Sequence, residues 1–144
     1  MKKIKVGIDV HGVIDQNPDF FAKLCKTLIA EGHEVHIVTG REICKELIQP
    51  LKEFGITFTK IFSITTYHKQ IGTYIKYKDG DLTQPLIAPP KWDRTKADYC
   101  KREGIDIHID DLVVYGNYFE DIDTQFVLYT PAMRTFLSTL LTVK

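Results

Sequence analysis

Apolar residues along this chain follow two rhythms, a period of two that marks strands and a period near 3.6 that marks helices. Val6, Ile8 and Val10 alternate with Gly7, Asp9 and His11. That pattern predicts a strand with Asp9 and His11 on one side, near its C-terminal end. Gly12 breaks the strand, and a loop follows to Asp19, with Asn17-Pro18 as a turn or helix-start signal. Phe20, Phe21, Leu24, Leu28 and Ile29 keep helical spacing from Asp19 to Ala30, and Glu31-Gly32 ends that segment. A short apolar strand runs from Glu34 to Gly40. Glu42 to Phe54 reads as a second helix closed by Gly55, with Pro50 as a point where it breaks or a new one starts. Thr57 to Thr65, rich in β-branched and aromatic residues, predicts a third strand.

Between Tyr67 and Pro90 no helical period is visible. This stretch holds Tyr67, Tyr74, Tyr77, Pro85, Pro89 and Pro90, and reads as an insertion with a short hairpin around Asp79-Gly80. Trp92 to Glu103 returns to helix, with Asp93 as a candidate N-cap and Gly104 as its stop. Ile105 to Asp111 predicts a fourth strand that ends in two carboxylates. A short helix over Tyr115 to Asp121, a fifth strand from Gln125 to Tyr129 and a last helix from Pro131 to Leu141 complete the chain.

Strand and helix alternate with no internal repeat. That order predicts one α/β domain over residues 1–144, a three-layer Rossmann-like parallel sheet of about five strands with helices on both faces. The small insertion at 67–90 follows the third strand. Such sheets bind ligands beyond the C-terminal ends of their strands. Asp9 and His11, then Thr39, then Asp110 and Asp111 all fall at that edge, and Lys96 lies in the helix leading to the fourth strand.

Composition narrows the classes of function. Nineteen basic residues balance nineteen acidic ones, which gives no support to nucleic-acid binding by broad charge attraction. The longest apolar runs fall far short of a membrane span, and Met1-Lys2-Lys3-Ile4 lacks the apolar core of a signal peptide. Cys25, Cys44 and Cys100 are odd in number and widely spaced, so core or helix packing in a reducing cytoplasm is expected rather than disulfides or metal binding.

Three carboxylates gathered at one edge repel one another unless a cation joins them. Mg²⁺ takes a few carboxylates together with water and substrate phosphate. A carboxylate such as Asp9 can also attack phosphorus, Thr39 can donate to a phosphoryl oxygen, and Lys96 can offset developing negative charge. Each residue alone has a plainer reading: Asp9 as a turn cap, Thr39 as an N-cap, Lys96 as a solvated helix lysine, Trp92 as core. By the same reasoning His33 is solvent-facing, His36 and His108 are hydrogen-bonded on a sheet face, and His68 opens the insertion within reach of substrate.

The set IDVHGVI, VTGR, a lysine in KWDRTK, and HIDD resembles the four motifs of the haloacid dehalogenase-like superfamily, in order and across essentially the whole chain. The resemblance implies a Mg²⁺-dependent phosphomonoester hydrolase. By it, Asp9 is the nucleophile and Thr39 the phosphate-binding residue, with Gly40 and Arg41 beside the substrate. Lys96, or Lys91 as fallback, steadies nucleophile and phosphate. Asp110 is the acidic Mg²⁺ ligand, Asp111 ligates directly or through water, and position 11 contributes its backbone carbonyl.

The departure is His11, which stands where the family usually has a second Asp as general acid and base. An imidazole, with an ordinary pKa of about 6.5, can take over that role. Two alternatives follow from the same residue: a catalytically weak module that holds metal and phosphate, and a transition-metal hydrolase with His11 as a ligand. The space between Asp15 and Glu34 is too short for a large cap, and 67–90 is small for one. A nearly open site suggests a large substrate or a lid from a second copy in a homo-oligomer; a phosphorylated small molecule is the expected substrate.

Overall fold

A computed structural model describes residues 2–81 and 84–142. Residues 82 and 83 of the expected insertion lie outside them. The described chain forms β1 (Lys5–Ile8), α1 (Pro18–Ala30), β2 (Glu34–Thr39), α2 (Lys45–Glu53), β3 (Lys60–Ser63), α3 (Ile64–Gln70), β4 (Lys76–Tyr77), β5 (Pro85–Leu86), α4 (Pro89–Glu103), β6 (Ile107–Asp110), α5 (Val113–Gly116), β7 (Gln125–Leu128) and α6 (Pro131–Thr142). Five strands make one parallel sheet in the order β3-β2-β1-β6-β7, as the alternation predicts. The chain winds outward from β1 to β3 on one side, then returns to the other side of β1 with β6. A crevice opens at such a reversal of strand order.

Strand parity sorts the two faces. Val6, Ile8, Val35 and Ile37 join Phe21 of α1, Leu47 and Leu51 of α2, and Met133 and Leu137 of α6 in one core. Val38, Phe62 and Ile105 join Ile64 of α3 and Ala97, Tyr99 and Cys100 of α4 in the other. On this second side a polar row crosses three strands, because Gly7 registers with both His36 and His108. A Cβ on Gly7 would lie 2.8 Å from His108 Nδ1, so the glycine makes room for the imidazole. Both histidines are hydrogen-bonded on the sheet face, as expected: Tyr99 O–H donates to His36 Nδ1 (2.7 Å), and His108 Nε2–H donates to Asp110 (2.9 Å).

Several elements differ from expectation. Pro50 lies inside α2 without ending it; Leu47 and Leu51, buried one turn apart, hold the helix to the core. The third strand stops at Ser63, whose Oγ accepts the Thr66 N–H and caps α3, so Ile64, Thr65 and Tyr67 are helical. Asp93 is not a cap, because α4 begins a turn earlier at Pro89, a position where proline costs no hydrogen bond. The short helix expected over Tyr115 to Asp121 is α5, Val113–Gly116. His33 is half-buried and accepts the Ile4 N–H (3.0 Å). Cys25 and Cys100 are buried, with thiols pushed up to about 12 by that burial, but Cys44 is exposed, at the start of α2.

The hairpin exists, as β4 paired antiparallel with β5, and Asp79 and Gly80 turn it at positive φ. His68, expected to open the insertion within reach of substrate, lies in α3 and is buried. Thr95 Oγ1 donates to the Lys91 carbonyl (2.6 Å), so it accepts from His68 Nε2–H, and Thr73 donates to Nδ1, each at 2.8 Å. Burial, then the charge of Lys91, lowers its pKa; burial likewise lowers that of His108.

A histidine with a lowered folded pKa takes its proton in the unfolded chain first. What these two histidines contribute to stability is therefore complete above about pH 6.5 and declines as the pH falls below it. In thermal unfolding, the gap in Tm between the native chain and His68→Gln should narrow as the pH falls from 7.5 to 5.5, since the raised carboxylates of the sheet edge act equally in both proteins. Parallel slopes in the two proteins would remove His68 from the account.

Candidate functional site

Strand ends deliver the site. β1 ends at Ile8, and the Asp9 N–H still donates to the Ile109 carbonyl (3.0 Å), which ties the next residue to β6. Parity then points Asp9 toward α4, the side that also holds Asp110 at the end of β6. Lys96 meets both from above. Its Nζ donates to Asp9 Oδ1 at 3.0 Å and to Asp110 Oδ2 at 2.8 Å, and the lysine is 1% exposed. Tyr115 lies with its ring centroid 4.7 Å from the same ammonium, and its hydroxyl accepts from Trp92 Nε1 at 2.9 Å. Lys91, the fallback, is exposed and lines a different hollow with His68.

The two adjacent aspartates have different roles. Asp110 is fully buried and saturated. Its Oδ2 accepts from Lys96 and His108, and its Oδ1 from the N–H groups of Asp111 (2.8 Å) and Leu112 (3.4 Å). Those four donors fill the lone-pair positions of a carboxylate. Asp111, half-buried, lines the cavity that Asp110 does not reach. It lies against the loop after β1, where Gly12 has φ +92° and a Cβ would collide with the Asp111 carboxylate. The outward-facing acid is therefore Asp111, and Asp110 orients Lys96 from behind.

Atoms of Asp9, Asp110 and Asp111 converge within 4.8 Å of one another. Three carboxylates against one ammonium leave two negative charges, which one divalent cation would balance. The strain shows in the titration of the acids. Burial pushes Asp9 up to about 8, with Lys96 opposing and Asp110 adding to it. Burial and then Asp110 raise Asp111. Asp110 goes the other way: burial would raise it, but His108 and Lys96 hold it well below the usual range. Burial would lower Lys96, but Asp9 and Asp110 outweigh it and raise it. The donor set is all oxygen, which suits a hard cation.

Thr39, fully buried at the end of β2, faces the cavity and accepts the Arg41 N–H at 3.3 Å, leaving its hydroxyl hydrogen to donate. The Gly40 carbonyl is held by Thr65 Oγ1 (2.7 Å), and a Cβ on Gly40 would lie 2.8 Å from the Trp92 ring. Trp92 thus walls the cavity as well as packing on the core. Arg41 is exposed at the rim.

His11 stands apart from the carboxylates. Its Nδ1 lies 3.5 Å from Asp15 Oδ2, while Asp15 Oδ1 accepts the Gly12 N–H at 2.8 Å. Nε2 is buried with no hydrogen-bond partner among the described residues. Burial and Arg41 lower the His11 pKa, and Asp15 opposes them. Of the insertion, Pro85 lines the cavity; Tyr67 packs on Phe62, Tyr77 is half-buried in β4, and Tyr74 is 84% exposed. Sequence reasoning missed Trp92, Tyr115 and Pro85 as cavity walls and His108 as a partner of Asp110. For His108, its spacing two residues before Asp110 in a strand was the available signal.

No known protein family matches the chain. It is 30% identical over 87 residues to the voltage-dependent L-type calcium channel subunit alpha-1C of Cavia porcellus, a stretch covering 46% of this chain. The chain spans 4% of that protein's length, so the match assigns no family. An uncharacterized protein from Corynebacterium glutamicum, known from its crystal structure, superimposes with a TM-score of 0.56 over 96% of this chain and 93% of that one. At 13% identity the likeness shows the fold alone.

Two substitutions test the construction of the site by urea unfolding. Lys96→Met leaves two buried carboxylates without their cation and should cost about 3 kcal/mol or more. Gly12→Ala forces a side chain into a positive-φ position and against Asp111, and should cost about 1–3 kcal/mol. A neutral Lys96→Met would mean that the ammonium does not hold these strand ends together.

Proposed function

We propose that the protein is a metal-dependent phosphomonoester hydrolase that works through an aspartyl-phosphate on Asp9. The observation that carries this reading is the buried Lys96 bridging Asp9 and Asp110, with Thr39 facing the same cavity. The order of motifs that resembles the haloacid dehalogenase-like superfamily supports it. Lys96 binds Oδ1 of Asp9, so Oδ2 is the oxygen that would attack phosphorus. Asp9 would form the new P–O bond as the bond to the leaving oxygen breaks. Thr39 would donate to a phosphoryl oxygen, and Lys96 would offset the negative charge that builds there. Asp9, Asp111 and the peptide carbonyl of His11 are the groups that would hold Mg²⁺, which supplies charge neutralisation on the phosphoryl oxygens. His11, at the cavity mouth, would pass a proton to the leaving alkoxide and take one from the water that then cleaves the aspartyl-phosphate. The products are an alcohol and inorganic phosphate.

The second reading, a module that binds metal and phosphate but turns over little, draws on the lowered pKa of His11, which leaves little imidazolium to protonate a leaving group at neutral pH. The all-oxygen carboxylate cluster argues against His11 as a transition-metal ligand.

Release of phosphate from a panel of phosphomonoesters should require Mg²⁺ and be abolished in Asp9→Asn. His11→Ala should lose about 10²-fold or more, the usual worth of a general acid–base group, and His11→Asp should retain turnover. Activity persisting in Asp9→Asn would end the covalent mechanism. No turnover by the native chain, with turnover appearing in His11→Asp, would decide for the binding module.

A further inference from the structure

A second cavity adjoins the carboxylate site. It encloses about 470 Å³, against about 240 Å³ around the carboxylates, and the two share His11, Arg41 and Pro85. Its farther wall is built by Glu42, Cys44, Glu46 and Leu47 before and at the start of α2, and by Thr65 of α3. Another hollow beside the site shares only Asp111 with it. Displacement at phosphorus proceeds in line, so the leaving group departs on the side opposite the Asp9 oxygen. The remaining walls of the carboxylate cavity are filled by Trp92, Leu112 and Tyr115, so the large continuation past His11 is the route open to a leaving group.

We propose that this second cavity receives a nucleoside, making the substrate a nucleoside monophosphate; the assignment rests on the phosphatase reading above. The smaller cavity suits a phosphoryl group and a cation, and the larger falls within the size range of small-molecule sites. Its chemistry is mixed in a particular way. Pro85 offers apolar surface to a flat ring, backed by the edge of Leu47 that reaches the cavity from the core. The Arg41 guanidinium, exposed and in no ion pair among the described residues, is a planar group that stacks on heteroaromatic faces. Glu46, at the rim, accepts from sugar hydroxyls or an exocyclic amine. Glu42 and Thr65 also line it, but Lys69 holds the Glu42 carboxylate (2.6 Å) and Thr65 Oγ1 donates to the Gly40 carbonyl (2.7 Å), so few groups are left for the many hydroxyls of a sugar; a purely apolar alcohol would leave Arg41 and Glu46 unused. The hairpin also gains a role, because Pro85 closes both cavities.

The test compares adenosine monophosphate, ribose 5-phosphate, acetyl phosphate and a 5′-phosphorylated oligonucleotide on the native chain and on Cys44→Trp. Cys44 is exposed, so the indole can fill the cavity without disturbing the core. The nucleotide should exceed ribose 5-phosphate in kcat/KM at least tenfold. The ratio of nucleotide to acetyl phosphate should fall at least tenfold in Cys44→Trp. Equal use of nucleotide and ribose 5-phosphate, or an unchanged ratio in the variant, overturns the proposal. An oligonucleotide used better than the free nucleotide overturns the assignment to a mononucleotide. Where no phosphomonoester is turned over, the phosphatase reading has failed, and adenosine alone decides the cavity by saturation-transfer NMR. Transfer to the native chain that is lost in Cys44→Trp upholds a nucleoside site; no transfer overturns it.

Discussion

A single ammonium group organises the edge of this sheet. Lys96 is buried where an unpaired charge would be costly, and it is retained because two carboxylates from adjacent strand ends meet it. The pairing fixes how α4 lies over β1 and β6. It also consumes Oδ1 of Asp9 and, with His108, Oδ2 of Asp110. Asp9 and Asp111 remain as the acids that line the cavity. The support continues behind: His108 lies over Gly7 and stacks on Phe119, and Tyr115 carries Lys96 on its ring while Trp92 holds the Tyr115 hydroxyl.

That arrangement is short of positive charge by design of its parts. One lysine cannot neutralise three acids; burial, with the charge of Asp110 added to it, raises the pKa of the two acids that face the cavity, while His108 and Lys96 depress that of the saturated one. A divalent cation, as in the proposed function, would make up that deficit, and a phosphoryl group beside it would then be held without repulsion. Burial decides which acid does what. Asp110 and Asp111 are neighbours in sequence and identical in chemistry, yet one is locked by four donors and the other is left open.

The hairpin gives the small insertion a physical purpose. It does not roof the site as a cap domain would. It sets one rigid residue, Pro85, between the cavity that holds the carboxylates and the larger one beside it. Of the tyrosines in this stretch, Tyr67 packs against Phe62 and Tyr77 lies in β4, while Tyr74 stays in solvent.

Periodicity alone determined the alternation of strands and helices, the parallel sheet and the edge at which Asp9, Thr39, Asp110 and Asp111 gather, because side-chain direction in a strand follows from position. Local chemistry also marked the Gly104 stop and the Asp79-Gly80 turn. Sequence went wrong where a neighbour overrode local preference: Ile64 and Thr65 favour strands, but the Ser63 cap and the core beneath α3 make them helical. Pro50 breaks helices in isolation, but two buried leucines outweigh it. Tertiary structure alone decided that Lys96 rather than Lys91 reaches the carboxylates, that Asp111 rather than Asp110 faces the cavity, and that His11 stands apart from them. Each of those choices depends on which side chain is buried and which donors surround it, and burial is a property of packed elements rather than of any stretch of sequence.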